Sequence, residues 1–156
     1  MSVNPKVSTC LWFDGDAEEA ATFYTSLLPD SRITNVTRPV PGGLALLVGF
    51  TLAGAPFQAL NGGPQYRHSE AASISVGTED QEETDRLWAA LIANGGCESQ
   101  CAWLRDRFGV SWQIVPKALP RLIGASDRVA ATRAMQAMMG MRKIDIAALE
   151  AAFLGE

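Results

Sequence analysis

The sequence predicts an α+β fold in which a strand–helix unit occurs twice, and three observations support this prediction. Residues 16–28 and 80–92 both begin with Asp, one variable residue and Glu-Glu, and they lie 64 residues apart. Apolar residues then recur at the same four places in both segments, as on one face of an amphipathic helix. Each segment follows a short strand-like run, 7–13 or 72–77. The repeat predicts two related halves with a ligand space between them.

The composition is that of a globular protein and argues against several function classes. The 156 residues are 47% hydrophobic and 19% charged, which is enough for one well-packed domain or two small modules. The net charge of −4 argues against nucleic-acid binding, which requires a basic surface. We find neither an apolar run long enough for a membrane span nor a signal-peptide pattern, so we expect a cytoplasmic protein without a membrane partner.

The first half is predicted to contain one helix and four strands. The helix covers 17–28, with Asp16 as its acidic cap and Pro29-Asp30 as its end. Residues 53–56 (Ala-Gly-Ala-Pro) are expected to form a hairpin turn. The predicted strands are 7–13, 31–38, 44–52 and 57–61.

The second half is predicted to be shorter and to end in helices. Its first helix, 80–94, ends at Asn94-Gly95-Gly96, and a strand within 96–99 is expected to be vestigial or missing. Methionines at 135, 138, 139 and 141 form a soft apolar surface suited to ordinary packing or to contact with a second copy of the chain. The remaining predicted elements are strands 72–77, 100–105 and 110–115, and helices 119–123, 127–139 (capped by Ser126 or Asp127) and 146–153 (capped by Asp145).

Three segments carry a resemblance to a known family. Residues 11–24, 60–64 and 105–116 resemble the PhnB-like branch of the vicinal oxygen chelate superfamily, which also contains glyoxalase I, bleomycin-resistance proteins and extradiol dioxygenases. Members of this branch often bear the name 3-demethylubiquinone-9 3-methyltransferase. The resemblance covers about residues 5–118, and the helical tail is also similar to one seen in this branch.

The resemblance implies a specific architecture. It implies an α+β, glyoxalase-like fold with paired βαβββ modules that form a cupped mixed sheet, followed by a C-terminal helical extension. The whole chain, 1–156, is then a single domain made of module one (5–63), module two (70–118) and the tail (119–156). A homodimer is also implied.

The resemblance further implies four positions for a divalent metal ion. These positions fall on Thr9, Ser73, Gln113 and, within one residue, Gln58. Neutral hydroxyl and amide groups are weak ligands compared with the imidazoles and carboxylates that such sites use. We therefore expect no metal site and no cofactor.

Strand alternation extends the candidate ligand site. If Thr9 faces the cavity, then Leu11 and Phe13 do so as well, while Cys10 and Trp12 face the helices. The serines of the second half have a competing interpretation as solvent-facing strand residues, Asn61 as a turn residue that satisfies local backbone, and Trp103 as a core residue. The complete candidate set is Thr9, Leu11, Phe13, Gln58, Asn61, Ser73, Ser75, Trp103, Ser111 and Gln113.

Other chemically capable residues receive structural interpretations. His68, the single histidine, is interpreted as an exposed loop residue because nothing in the sequence fixes its orientation. Asp14 and Asp16 are interpreted as helix-start residues and not as a catalytic pair. The three cysteines are expected to be reduced, with Cys10 buried in its strand.

The sequence leaves three hypotheses of function. The first is a metal-independent protein that binds a small molecule of unknown identity in the cavity. The second is an enzyme of the family, either metal-assisted or methyl-transferring, although no glycine pair follows a predicted strand and opens a helix as a nucleotide-type cofactor site requires. The third is a dimeric structural protein with a filled cavity.

Overall fold

The computed structural model describes residues 4–156. The chain forms two compact units, the first ending at His68 and the second comprising Ser69–Glu156. Each unit contains a four-stranded mixed sheet in which a helix follows the first strand. The predicted α+β class, the repeated βαβββ order and the C-terminal helices are therefore confirmed, and the helices belong to the second unit.

The first unit has one sheet with the strand order β1-β4-β3-β2. β1 pairs in parallel with β4, while the β2–β3 and β3–β4 pairs are antiparallel. The hairpin turn between β3 and β4 lies at Ala53 and Gly54, which both have positive φ (46° and 81°). The elements are β1 (Thr9–Phe13), α1 (Ala17–Leu27), β2 (Arg32–Thr37), β3 (Leu47–Leu52) and β4 (Ala55–Asn61).

The second unit repeats this topology with shorter strands. Its sheet has the order β5-β8-β7-β6, with β5 parallel to β8. β6 is only two residues long, so the prediction of a vestigial strand in 96–99 is confirmed. The elements are β5 (Ser73–Thr78), α2 (Gln81–Ile92), a 3₁₀ turn (Ala93–Gly95), β6 (Cys97–Glu98), β7 (Trp103–Arg105) and β8 (Ser111–Pro116).

Three helices complete the second unit: α3 (Ala118–Ile123), α4 (Arg128–Met139) and α5 (Ile146–Leu154). Asp127 caps α4 and Asp145 caps α5, each by accepting backbone N–H hydrogen bonds in the first turn. The helices share a buried cluster with the β6–β7 turn, formed by Ala102, Leu119, Leu122, Ala134, Ile144 and Leu149. Within residues 4–156, no helix has both the length and the apolar character needed to cross a bilayer.

The two repeated helices begin in different ways. Asp80 caps α2 as predicted, because its side chain accepts a hydrogen bond from the backbone N–H of Glu83 at 2.9 Å. The equivalent prediction for Asp16 is wrong, since its side chain makes no cap hydrogen bond. Asn61 at the end of β4 serves instead, because its Oδ1 accepts from the N–H groups of Gly15 (2.9 Å) and Ala17 (3.0 Å).

Candidate functional site

The face of the first sheet that α1 covers contains residues that the sequence analysis had assigned to the cavity. Leu11 of β1 is paired with Ala59 of β4, and Ala59 is paired with Val48 of β3, so the three side chains lie on one face of the sheet. Phe50, two residues along from Val48, lies on the same face, and its ring centroid is 6.3 Å from that of Tyr24 in α1.

The predicted facing of β1 is therefore wrong. Leu11 and Phe13 are core residues, with 9% and 3% of their surface exposed. Thr9 lies on the same side by alternation, although it is exposed at the start of the strand. Strand alternation alone could not show which side of β1 faces the helix. Leu11 and Phe13 on one side and Trp12 on the other are all apolar.

The opposite, open face of the first sheet carries Cys10, Trp12 and Gln58. The Trp12 indole N–H donates to the carbonyl oxygen of Gly63 at 2.8 Å, and its ring covers Gly62, where an added Cβ would approach the ring within 2.2 Å. Cys10 is exposed, so its predicted burial is wrong. Partial desolvation nevertheless raises the pKa of the Cys10 thiol, which lowers its reactivity.

Two polar candidates of the first unit are held by backbone contacts. His68 is half-buried, with Nε2 donating to the carbonyl oxygen of Trp12 at 2.6 Å and its ring centroid 5.5 Å from that of Phe13. The interpretation of His68 as an unconstrained, exposed loop residue is therefore wrong. The Asn61 amide nitrogen donates to the carbonyl oxygen of Ala45 at 2.8 Å, so its whole side chain is engaged in the fold.

The second sheet brings together five of the predicted site residues. Its register places Ser73 beside Ser111, Ser75 beside Gln113 and Gln113 opposite Trp103. The Gln113 side-chain nitrogen donates to the Ser73 hydroxyl at 2.9 Å. We call this side of the second sheet the polar face; the opposite side buries Trp112 and Ile114, as predicted.

A cavity of about 160 Å³ lies at the polar face next to β7, and we call it the β7 cavity. Trp103 and Ser111, which are predicted site residues, lie in its wall, and Ser111 is only 1% exposed. The sequence analysis missed Arg105, although its spacing of two from Trp103 places both side chains on one side of the strand. The complete lining is Glu70, Cys97, Glu98, Ser99, Trp103, Leu104, Arg105 and Ser111.

Glu98 belongs to the wall of the β7 cavity, and its carboxylate lies on the α2 side of the sheet, because Glu98 pairs with Leu104, which shares the buried side with Trp112. Its Oε1 accepts from the Trp88 indole N–H at 2.8 Å, and its Oε2 accepts from Arg142 at 3.4 Å. The Trp88 hydrogen bond is the main cause that lowers the pKa of the Glu98 carboxyl, and the nearby charges of Arg142 and Lys143 lower it further. Glu98 is therefore ionised at neutral pH and already has partners within the protein.

Asp106 is the most buried carboxylate near this sheet, but it has a structural role. It is 2% exposed. Its Oδ1 accepts from the N–H groups of Phe108 (2.9 Å) and Val110 (3.0 Å), and its Oδ2 accepts from the Trp112 indole at 2.9 Å. These contacts fix the β7–β8 turn.

A larger cavity, of about 490 Å³, lies among the N-terminus of α2, α3 and the N-terminus of α5. Its charged groups already bind one another or the backbone. Lys117 pairs with Glu79, and Arg121 pairs with Glu150 at 3.0 Å. The carboxylates of Asp80 and Asp145 cap their helices. We assign no ligand to this cavity, because no charged group of its lining is left to recognise one.

The residues at the four implied metal positions do not suit a divalent ion. Thr9 lies on the side of the first sheet that α1 covers, and the Gln113 amide is bonded to the hydroxyl of Ser73. No carboxylate or imidazole occupies any of the four positions. Within residues 4–156, no three His, Cys, Asp or Glu side chains come together as a metal-binding group.

Comparison with known proteins identifies the family. The family model described as 3-demethylubiquinone-9 3-methyltransferase matches residues 5–115. The chain belongs to this family. It is similar in structure to a putative 3-demethylubiquinone-9 3-methyltransferase, PhnB protein, from Bacillus cereus: the two are 32% identical, the TM-score is 0.65, and the match covers 72% of this chain and 99% of that one. The resemblance to the PhnB-like branch is thereby confirmed.

Two more distant structures support the fold alone. Protein PA1353 from Pseudomonas aeruginosa is 21% identical over 72% of this chain and 98% of its own, with a TM-score of 0.58. The fosfomycin resistance protein FosX from Listeria monocytogenes is 13% identical over 72% and 93%, with a TM-score of 0.54. No curated protein matches the chain.

The residues also do not fit a Rossmann-type methyl-donor site. Such a site requires a glycine-rich turn between a strand and the helix that follows it. The glycine pairs of residues 4–156 fall elsewhere: 42–43 between β2 and β3, 62–63 after β4, and 95–96 between α2 and β6.

Proposed function

We propose that this family member binds a small organic molecule at the polar face, with one ring in the β7 cavity and without a metal ion. The observation that carries the proposal is the cavity of about 160 Å³ lined by Trp103, Arg105 and Ser111. A protein cavity of about 150 Å³ can hold benzene, so a single six-membered ring fits. Polar groups that converge on such a cavity typically fix the orientation of a ligand.

The lining favours a ring that carries an acidic substituent. Trp103 offers an aromatic face for stacking and Ser111 a hydroxyl group. Gln113 lies outside the lining, opposite Trp103 on the polar face, and offers an amide group. The lining has three charged groups: Glu70 is exposed, Glu98 is already bound by Trp88 and Arg142, and the Arg105 guanidinium forms no ion pair with a carboxylate within residues 4–156. Guanidinium groups bind carboxylates through two parallel hydrogen bonds, so Arg105 is the anchor for an anionic group.

Thermal-shift titration with benzoate, in buffer containing EDTA, tests this function. Benzoate should raise the melting temperature of the protein, and neutral benzamide should raise it less, because only benzoate pairs with Arg105. Arg105→Ala should abolish the benzoate shift, while Arg32→Ala, at an exposed arginine of β2, should retain it. Absence of any benzoate shift, equal shifts in wild type and Arg105→Ala, or a shift that EDTA abolishes would each refute the proposal.

The family description supports methyl transfer as a second candidate function. S-adenosylmethionine in the same titration decides between the candidates. A shift with S-adenosylmethionine that persists in Arg105→Ala would favour the methyltransferase. A shift with benzoate alone would favour the binding protein.

The proposal also includes a homodimer, as the family resemblance implies, and a location in the cytoplasm. The chain has a mass of 16.7 kDa, so sedimentation equilibrium should give twice that mass. A monomer mass at micromolar concentration would refute the dimer without affecting the ligand site.

A further inference from the structure

The turn between β6 and β7 has an unfavourable backbone conformation. Its two central residues, Cys101 and Ala102, have φ values of 55° and 74°, and neither is glycine. The Trp103 N–H closes the turn on the carbonyl oxygen of Gln100 at 3.1 Å. Turns with positive φ at both central residues favour Asn-Gly, because a Cβ atom disfavours the left-handed region. This turn therefore depends on contacts from outside itself.

Those contacts come from the loop between α4 and α5. We call residues Met141–Lys143 the tail loop. The Cys101 N–H donates to the carbonyl oxygen of Met141, and the Ala102 N–H donates to that of Arg142, both at 2.8 Å. Ala102 is also 1% exposed within the core that the tail helices form. The tail loop thus satisfies both backbone donors of the strained turn.

Side chains of the same loop reach the wall of the β7 cavity and α2. The Arg142 guanidinium pairs with Glu98 at 3.4 Å, and Lys143 pairs with Asp85 of α2 at 2.7 Å. Glu98 ends β6, and Trp103 begins β7, so the turn and the ion pair hold both of these cavity residues. The tail loop lies outside the region 5–115 that the family model matches.

We propose that the tail loop positions the β7 cavity, with Arg142 as a positioning residue whose side chain acts through Glu98 and whose carbonyl oxygen, together with that of Met141, acts through the β6–β7 turn. The inference rests on the proposed function, because it assumes that the cavity binds a ligand. A segment outside the matched region thereby completes the ligand site. Arg142 acts on the site by keeping Glu98 and Trp103 in place and does not itself touch the ligand.

Arg142→Ala tests the inference, with Arg121→Ala as its matched control. Each change removes one exposed ion pair between an arginine of the tail and a glutamate. The Arg121–Glu150 pair, however, contacts neither the β6–β7 turn nor the β7 cavity. The readouts are the NMR signal of the Trp88 indole N–H, which donates to Glu98, the amide exchange rates of Cys101 and Ala102, and the benzoate affinity.

Arg142→Ala leaves the carbonyl oxygen of residue 142 in place but releases the tail loop from Glu98. It should therefore shift the Trp88 signal, accelerate exchange of both turn amides and weaken benzoate binding by about two- to fivefold, the range that follows from the loss of one exposed ion pair. Arg142→Lys, which keeps the positive charge, should give values close to those of the wild type in all three readouts. Arg121→Ala should leave all three readouts unchanged. Equal behaviour of Arg142→Ala and Arg121→Ala would overturn the inference, as would weaker benzoate binding with unchanged Trp88 and turn signals, since Arg142 would then contact the ligand directly.

Cys101→Gly provides a second test, because glycine removes the conformational penalty at that position. In the Cys101→Gly background, Arg142→Ala should weaken benzoate binding less than it does in the wild type. Strictly additive effects would show that the Arg142 side chain does not act through the turn. If benzoate fails to bind the wild type, the proposed function fails, while the Trp88 signal and the amide exchange still decide whether the tail loop holds the cavity wall.

Discussion

The two modules have the same strand order, but they stabilise the start of their helices with different residues. α2 begins at Asp80, which caps its own first turn. α1 begins without such a contact from Asp16, and Asn61 supplies it from the end of β4. The comparison shows that the sequence repeat encodes the topology, while each module uses its own contacts to reach it.

The open faces of the two sheets differ even more. The first carries Trp12, packed over Gly62, and an exposed Cys10. The second carries the Ser73–Gln113 pair and an Arg105 that lines a ring-sized cavity. The chemistry suited to ligand recognition is therefore concentrated in the second module.

The largest expected effect comes from Asp106, whose carboxylate stabilises the second module alone. Asp106→Ala leaves two backbone N–H groups and the Trp112 indole without their acceptor, and we expect a loss of about 3–5 kcal/mol in the free energy of unfolding, as for other broken buried networks. Urea denaturation measures it. Asp127→Ala is the control, since Asp127 also accepts from two backbone N–H groups but is exposed; similar losses for the two would contradict the account.

The next largest losses of stability are expected when the residues that cap the two repeated helices are removed. Asn61→Ala removes two acceptor contacts and one donor contact, so it should cost about 2–3 kcal/mol, whereas Asp80→Ala should cost about 1 kcal/mol. Thermal and urea unfolding of both variants gives the comparison. A larger loss for Asp80→Ala would show that the two modules begin their helices alike.

Each module also has a carboxyl whose pKa lies below its ordinary value. The Arg38 side chain, bonded at 2.5 Å, lowers the pKa of Glu18, and Lys143 followed by Gln81 lowers that of Asp85. A lowered folded-state pKa stabilises the fold above the unfolded-state pKa, and this contribution is lost as the pH falls through the folded value. In ¹³C NMR titrations, Arg38→Ala should raise the pKa of Glu18 and leave that of Asp85 unchanged. Lys143→Ala should raise the pKa of Asp85, and to a smaller extent that of Glu98, and leave that of Glu18 unchanged. Unchanged midpoints would contradict these assignments.

A small effect on stability, similar to that of Asp80→Ala, is expected from one of the two glutamines that lie at equivalent positions on the open faces. Gln113→Ala should cost about 1 kcal/mol, because it removes one hydrogen bond to Ser73, and it should weaken benzoate binding. Gln58→Ala, its counterpart in the first module, should leave benzoate binding unchanged. Weaker binding in Gln58→Ala would give the first module a part in the site that we assign to the second.

The repeat and the strand order could be predicted because helix periodicity, capping residues and turn residues are local features. The facing of β1 could not, since Leu11 and Trp12 are both apolar and only the packing of α1 against the sheet distinguishes them. The roles of Asn61 and His68 also required the structure, because their partners lie 44 to 56 residues away in the chain. In the second module Ser73, Ser75 and Gln113 alternate with apolar residues, so the side of the sheet on which they lie could be predicted. The alternation did not distinguish a ligand site from a solvent-facing surface.

The indole N–H signals of the four tryptophans, followed by NMR during a benzoate titration in EDTA, provide the most direct test of a metal-independent site on the second module. Trp103 lines the β7 cavity, while Trp12 lies in the first module. The account predicts that the Trp103 signal shifts with saturation and that the Trp12 signal stays in place. A saturating shift of Trp12 with an unchanged Trp103, or no shift until a metal ion is supplied, would contradict it.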